Sequence, residues 1–144
     1  MPFNDDVALQ GDIEIARVLV DRNWCTERHD GTERPSSVAF LDSLNEASCF
    51  ILAETNLNLI AAQFPGKKLG VVTVAAARDA GFIVARDPAG GNGIPGHVVL
   101  VQTAVRPQGA QHTKRARQLA NSGRVLQLSG VQEALEGQGA AEGV

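Results

Sequence analysis

Histidine, serine and arginine side chains in the first two thirds of this sequence could together bind an anion and move a proton. The candidates for proton transfer and nucleophilic attack are His29, His97, Ser36 and Ser37. Either histidine could be the base, because imidazole titrates near neutral pH, and Asp30 or Asp87 could orient it. Arg34 and Arg86 could hold a phosphate or carboxylate through paired N–H groups. This combination predicts a small transferase or hydrolase with an anionic substrate.

The same residue types also have ordinary structural roles. Hydroxyls in residues 35–37 could satisfy backbone groups in a turn that leads into a strand, and His97 is expected to be half-buried where a strand begins. No recognised nucleophile signature surrounds any candidate. The leading interpretation is therefore a binding or accessory module for an anionic small ligand or a protein partner. Its surface is expected at residues 21–37, which Trp24 attaches to the body, and at residues 90–97.

A glycine-rich loop contains the pattern Gly91-x-Gly93-x-x-Gly96. In a dinucleotide site such glycines open a helix whose N-terminal N–H groups bind the pyrophosphate, and an acid follows about twenty residues later. Here the glycines precede the β-type run HVVLVQ, and the next acid is Glu133. The pattern therefore indicates a tight hairpin loop, and no cofactor is predicted.

A second pattern, Cys25-x-x-x-His29, has a spacing that could supply two ligands of a zinc site. One or two more ligands would be needed, and Cys49 lies in an apolar run where cysteine is usually a small buried hydrophobe. On ligand count, no metal site is predicted.

Charge is unevenly distributed along the chain. Residues 1–54 contain eleven acids and four arginines, a net charge of −7, whereas residues 88–132 contain five basic residues and no acid. The two parts are expected to face each other, within one subunit or across a dimer, so a homo-oligomer is predicted. RNA binding through a basic helix with Lys114, Arg115 and Arg117 is the weaker alternative, because no aromatic residue interleaves these charges.

The pattern of apolar residues predicts an α+β fold, with a mixed, largely antiparallel sheet and two or three short helices. Strands are predicted at residues 13–20, 38–41, 48–53, 69–73 and 124–128, and an antiparallel pair within residues 81–105. A short helix capped by Thr55 or Asn56 is predicted, and further helices are predicted at residues 74–80 and 109–122, the last with Ala116, Leu119 and Ala120 as its apolar face. A single domain over residues 1–128 is expected, with a loose arm at 1–11 and a flexible tail at 129–144. Residues 21–34 are predicted as a long surface excursion and residues 42–46 as a turn.

The N-terminal stretch MPFNDDVALQGD is acidic and lacks the basic and apolar regions of a signal peptide. The two cysteines form no disulfide framework, and no apolar run approaches the length of a membrane span. A cytoplasmic location away from the membrane is therefore expected.

Two patches, RPSSVAF at residues 34–40 and RDP…PGHVVLV at residues 86–101, resemble a set of short bacterial proteins of no established activity. In those proteins an Asn-Pro-x-His sequence stands where this chain has Ile94-Pro95-Gly96-His97 in a longer glycine loop. The resemblance implies a bacterial, cytoplasmic protein and draws attention to Arg34, Ser36, Ser37 and His97. It implies no particular chemistry.

Overall fold

An antiparallel sheet forms the centre of the computed structural model, which describes residues 3–41, 46–102 and 109–128. The strands are β1 (Glu14–Leu19), β2 (Cys25–Glu27), β3 (Glu33–Pro35), β4 (Glu46–Ile51), β5 (Lys68–Thr73), β6 (Phe82–Arg86), β7 (His97–Gln102) and β8 (Arg124–Gln127). The helices are α1 (Leu57–Gln63), α2 (Val74–Asp79) and α3 (Ala110–Ser122). The main sheet has six strands in the order β6-β7-β4-β1-β5-β8, and β2 and β3 form a separate hairpin. The predicted α+β fold is confirmed.

Both faces of the main sheet are covered, as the apolar alternation of the strands requires. Ile15 and Leu19 of β1 belong to the larger core, which also contains the apolar faces of α2 and α3. Ala16 and Val18 point to the opposite face and join the core under α1. The predicted apolar face of α3 is confirmed, since Ala116, Leu119 and Ala120 are all fully buried.

The centre of the sheet is incomplete between β1 and β4. These strands pair only at Ile15↔Ile51 and Ala16↔Phe50, whereas β1 and β5 pair along all six residues of β1. Beyond the second pair, the Arg17 guanidinium replaces the missing backbone donors. Its Nε donates to the Ala39 carbonyl and its Nη1 to the Ser48 carbonyl, each at 2.9 Å. The gap between the two strands opens the sheet where the candidate site lies.

Two segments differ from their predicted structure. Residues 38–41 are not a strand but a 3₁₀ turn, Ser37–Phe40, closed by bonds from the Ala39 amide to the Ser36 carbonyl and from the Leu41 amide to the Val38 carbonyl. The turn places Ala39 and Phe40 in the core next to α3, and that burial outweighs the β preference of an isolated apolar run. The excursion at residues 21–34 contains a 3₁₀ turn, Arg22–Trp24, and then the β2–β3 hairpin.

The remaining boundaries are close to the prediction. The strand expected at 48–53 begins and ends two residues earlier, at Glu46–Ile51. Asn56 caps α1 through its side-chain oxygen, which accepts from the amides of Asn58 and Leu59. The predicted turn at 42–46 falls mostly outside the described residues, and the predicted tail at 129–144 falls entirely outside them.

Residues 3–11 follow the free edge of β6. The Asp6 amide donates to the Val84 carbonyl at 2.9 Å, and Leu9 is buried in the core with 2% of its surface exposed. Arg78 donates to the carbonyls of Leu9 and Asp6 at 2.8 and 2.9 Å. The segment predicted as a loose arm therefore has specific attachments to the domain. No helix in the described ranges is long and apolar enough to cross a bilayer.

Candidate ligand-binding cleft

The opening between β1 and β4 leads to a cavity of about 260 Å³, which we term the Arg17 cleft. Its walls are largely apolar, with side chains of Val18, Val20, Phe50, Phe64 and Trp24. Polar groups enter from different elements: Arg17 from β1, Ser48 from β4 and His97 from β7. A concave, mostly apolar surface with a few convergent polar groups is typical of a small-molecule site.

Arg17 supplies the positive charge of the cleft. Its guanidinium carbon lies 5.0 Å from the centre of the Trp24 ring, a cation–π arrangement. Nε and Nη1 donate to the carbonyls of Ala39 and Ser48, and Nη2 has no hydrogen bond among the described residues. No described aspartate or glutamate forms an ion pair with Arg17. Within the described ranges the charge is oriented by neutral groups and has no acid to neutralise it.

Trp24 is held in position by one of the predicted site residues. The Ser36 amide donates to the Trp24 carbonyl at 2.8 Å, and the Ser36 hydroxyl donates to the Asn23 carbonyl at 2.5 Å. Ser36 therefore fixes the turn that presents the indole to Arg17, and its hydroxyl is engaged there. Ser37 begins the next 3₁₀ turn, and neither serine lines the Arg17 cleft.

His97 lies at the start of β7 with only 4% of its side chain exposed. Its Nδ1 is 2.9 Å from the Asp87 backbone carbonyl and 3.5 Å from the Asp87 carboxylate. Since a carbonyl oxygen can only accept, this contact assigns the proton to Nδ1 and leaves Nε2 as an acceptor in the neutral ring. The Phe50 ring meets the imidazole edge-on at 5.4 Å between centroids. The ring is therefore fixed in both orientation and tautomer.

Nε2 of His97 remains open to a ligand. It has no hydrogen bond within the described part of the chain, and it is not one of the buried polar atoms that lack a partner. The imidazole also lines the Arg17 cleft. We conclude that Nε2 is accessible and is the nitrogen through which His97 can act.

The glycine loop packs directly on this histidine. A Cβ at Gly90 would lie 2.6 Å from His97 Cε1 and 2.5 Å from Asp87 Oδ2, and one at Gly91 would lie 3.0 Å from His97 Cβ. The loop then enters β7, a strand, instead of a helix. Gly90 and Gly91 are explained by close approach to the His97–Asp87 pair, and Gly93 and Gly96 by their φ of 83° and 80°, which agrees with their interpretation as loop residues.

His29 and Arg34 line a different surface, a wide groove of about 680 Å³ at the β2–β3 hairpin. His29 is exposed, and Nη1 of Arg34 donates to the neighbouring Pro35 carbonyl at 3.0 Å. Arg28 lines the same groove and donates to the carbonyls of Asn121, in the last turn of α3, and of Gly123, which follows α3. The structure thus separates the two predicted histidines into two pockets that share no lining residue.

Arg86, the other predicted anion-binding residue, is already paired with acids. It makes a bidentate contact with Glu54 at 2.7 and 2.8 Å, and its Nε lies 3.4 Å from Asp6. The hydrogen bonds from Arg86 lower the pKa of the Glu54 carboxyl. This guanidinium stabilises the junction of β6 with the N-terminal segment and does not line the Arg17 cleft.

The surroundings of Cys25 and Cys49 make both thiols poor nucleophiles. Burial, followed by the hydrogen bond to Glu33, raises the pKa of Cys25 to about 11, and burial raises the pKa of Cys49 to about 12. Cys25 Sγ donates to Glu33 Oε2 at 3.0 Å, and Lys68 Nζ contacts the same oxygen at 2.6 Å. Within the described ranges no three potential metal ligands cluster together.

The basic residues of α3 do not form one surface. Lys114 and Arg117 are exposed, whereas Arg115 is half-buried, with its side chain packed against Gly81. One ion pair joins the acidic and basic parts within the chain, Glu14–Arg124 at 3.0 Å. Self-association and RNA binding stay predictions.

Sequence reasoning identified His97 and Trp24 but missed Arg17 and Ser48. One signal for Arg17 was present: it is the single charged residue inside the apolar run IARVLV. A charge within a buried strand requires compensation, so its position was informative. Ser48 gave no such signal, because its exposure follows from the separation of β1 and β4.

The fold and the cleft define a small α+β domain with a six-stranded antiparallel sheet and a polar-ended apolar pocket. The chain matches no protein-family model, no curated protein and no solved structure.

Proposed function

We propose that this protein binds a small organic anion with an apolar body in the Arg17 cleft. The observation that carries the proposal is the Arg17 guanidinium, which lies at an apolar cavity without an acidic partner among the described residues. A partly buried charge is costly unless it is paired. A carboxylate is the natural complement, because the guanidinium donates to it in a planar, charge-assisted contact.

The walls specify the rest of the ligand. Trp24 on one side and Phe50 and Phe64 on another offer aromatic surface for a planar or aliphatic body. The volume of about 260 Å³ limits the ligand to a small molecule. These features support a ligand-binding role rather than a macromolecular interface.

Benzoate and benzamide test the proposal, since they have nearly the same shape and differ in charge. Isothermal titration calorimetry should show binding of benzoate and at least tenfold weaker binding of benzamide, as expected for the loss of one charge-assisted contact. Equal affinities for the two compounds, or no binding of benzoate, would overturn the proposal.

Two variants locate the binding. Ser48→Phe should abolish it, because the exposed Ser48 side chain lines the cleft and a phenyl group would fill the space. Arg34→Gln is the matched control, since it removes an arginine that lines the other groove. Retained binding in Ser48→Phe, or loss in Arg34→Gln, would place the site elsewhere.

A small transferase or hydrolase is the second candidate, favoured by the accessible Nε2 of a histidine that Asp87 orients. In that function His97 would take a proton from a nucleophilic hydroxyl or water. Hydrolysis of 4-nitrophenyl acetate that His97→Gln lowers by about 100-fold or more would support it. Hydrolysis at the same rate in both proteins would exclude His97 as the base.

A further inference from the structure

The two polar ends of the Arg17 cleft differ in what they can bind. Arg17 offers only N–H donors and a positive charge. His97 offers the opposite, because the Asp87 carbonyl holds its proton on Nδ1 and Nε2 presents a lone pair. A ligand that satisfies both ends must therefore have an anionic acceptor at one end and a hydrogen-bond donor at the other.

We infer that the ligand is a hydroxy acid with an apolar body, whose carboxylate meets Arg17 and whose hydroxyl donates to Nε2 of His97. This inference rests on the proposed function and adds the chemical class of the ligand. An acceptor at the second end, such as an ether or a second carboxylate, would face the lone pair of Nε2 and be rejected.

The order of the strands gives the separation of the two groups. Arg17 lies on β1 and His97 on β7, and both strands are neighbours of β4. Paired strands are about 4.8 Å apart and β1 has separated from β4 at Arg17, so the two backbones are at least about 10 Å apart. A hydroxyl next to the carboxylate cannot span the width of β4, whereas one at the far end of the ligand body can. The geometry favours a para-hydroxyaryl carboxylate over its ortho isomer.

The orientation of the imidazole is fixed by its surroundings. Phe50 packs on the ring, and Gly90 and Gly91 cover it, so the ring cannot turn to exchange its two nitrogens without displacing the loop. The other groups that face it are the carbonyl and carboxylate of Asp87, both at Nδ1. In the neutral ring, Nδ1 therefore carries the proton and Nε2 is the acceptor.

Calorimetry with four ligands tests the inference at pH 8: benzoate, 4-hydroxybenzoate, 4-methoxybenzoate and 2-hydroxybenzoate. The 4-hydroxy compound should bind about tenfold more tightly than benzoate, because its hydroxyl adds one hydrogen bond to Nε2 of His97. The 4-methoxy compound, which has an acceptor and no donor, should lose that gain. The 2-hydroxy isomer should also lack it.

A variant separates this inference from the proposed function. His97→Phe removes both ring nitrogens, so, whatever its affinity for benzoate, it should bind 4-hydroxybenzoate no better than benzoate. If wild-type protein binds benzoate and 4-hydroxybenzoate equally, the inference is wrong and the proposed function stands. If neither compound binds, both are wrong. If the preference for the hydroxyl persists in His97→Phe, another group recognises it and the inference is again wrong.

Discussion

The Asp87 carbonyl oxygen lies 2.9 Å from Nδ1 of His97, at the point where β6 leaves the sheet and β7 enters it. The same two residues also share a backbone bond, from the Asp87 amide to the His97 carbonyl at 3.1 Å. The hairpin that positions the histidine therefore also sets its tautomer. Glycine is needed at positions 90 and 91 because a Cβ at either would lie 3.0 Å or less from an atom of His97.

Gly90→Ala should disturb this histidine while the domain stays folded. Gly90 has φ of −87°, which any L-residue can adopt, so the substitution adds a collision and no backbone strain. The new methyl group would push the imidazole from Asp87, and affinity for 4-hydroxybenzoate should fall about tenfold, the loss of an aligned hydrogen bond. Calorimetry measures the affinity, and ¹⁵N NMR of the imidazole reports the tautomer. Ala89→Ser, at an exposed position in the same loop, is the control and should change neither.

Arg17→Met should destabilise the protein by about 2–4 kcal/mol, because two carbonyls in the centre of the fold lose charged donors and Trp24 loses its cation. Urea unfolding followed by circular dichroism gives the free energy of unfolding. Arg124→Met, which breaks an exposed pair with Glu14, is the matched control and should cost less than about 1 kcal/mol. Equal losses in the two variants would contradict the role assigned to Arg17.

Glu54 should contribute an acid-sensitive part of the stability through Arg86. Hydrogen bonds from Arg86 lower the pKa of Glu54 in the folded state, so the carboxylate stabilises the fold above the unfolded value of about 4.5 and this contribution disappears as the pH falls through the folded value. The pair is exposed, so the gain at neutral pH should be below about 1 kcal/mol. Urea unfolding between pH 2 and 7 should show a shallower acid slope for Glu54→Gln. When Arg86 is already replaced by Gln, Glu54→Gln should not change the acid slope of the unfolding free energy further. An undiminished change there would show that Glu54 does not act through Arg86.

Most helices and strands could be predicted because their signals, apolar alternation and capping residues, lie within a short stretch of the sequence. The alternation of Ile15, Val18 and their neighbours identifies β1, and Asn56 and Gly81 mark the start of α1 and the end of α2. These signals depend on residues a few positions apart, so a single sequence contains them.

The site depends on long-range relationships that the sequence does not display. Arg17 meets Ala39 and Ser48 only because β1 pairs with β4 for two residues and then separates from it. Likewise His29 and His97 looked equivalent as loop histidines, yet the β2–β3 hairpin directs His29 to another groove. Residue type identified candidates, and strand order decided which of them share a cavity.

Glu33→Gln should make Cys25 more reactive. The Glu33 carboxylate accepts a hydrogen bond from the Cys25 thiol and repels the thiolate, and together with burial this raises the pKa of Cys25 to about 11. The neutral amide removes the repulsion, so the pKa of Cys25 should fall and the thiolate fraction at pH 8 should rise, by tenfold for each unit. Alkylation by iodoacetamide, followed by mass spectrometry of the Cys25 peptide, measures the rate.

Glu27→Gln is the matched control. The Glu27 charge raises the pKa of Cys25 more weakly than Glu33 does, so the acceleration should be smaller. Cys49 is fully buried and should stay unlabelled in all three proteins, and labelling of Cys25 at the wild-type rate in Glu33→Gln would show that burial alone protects this thiol.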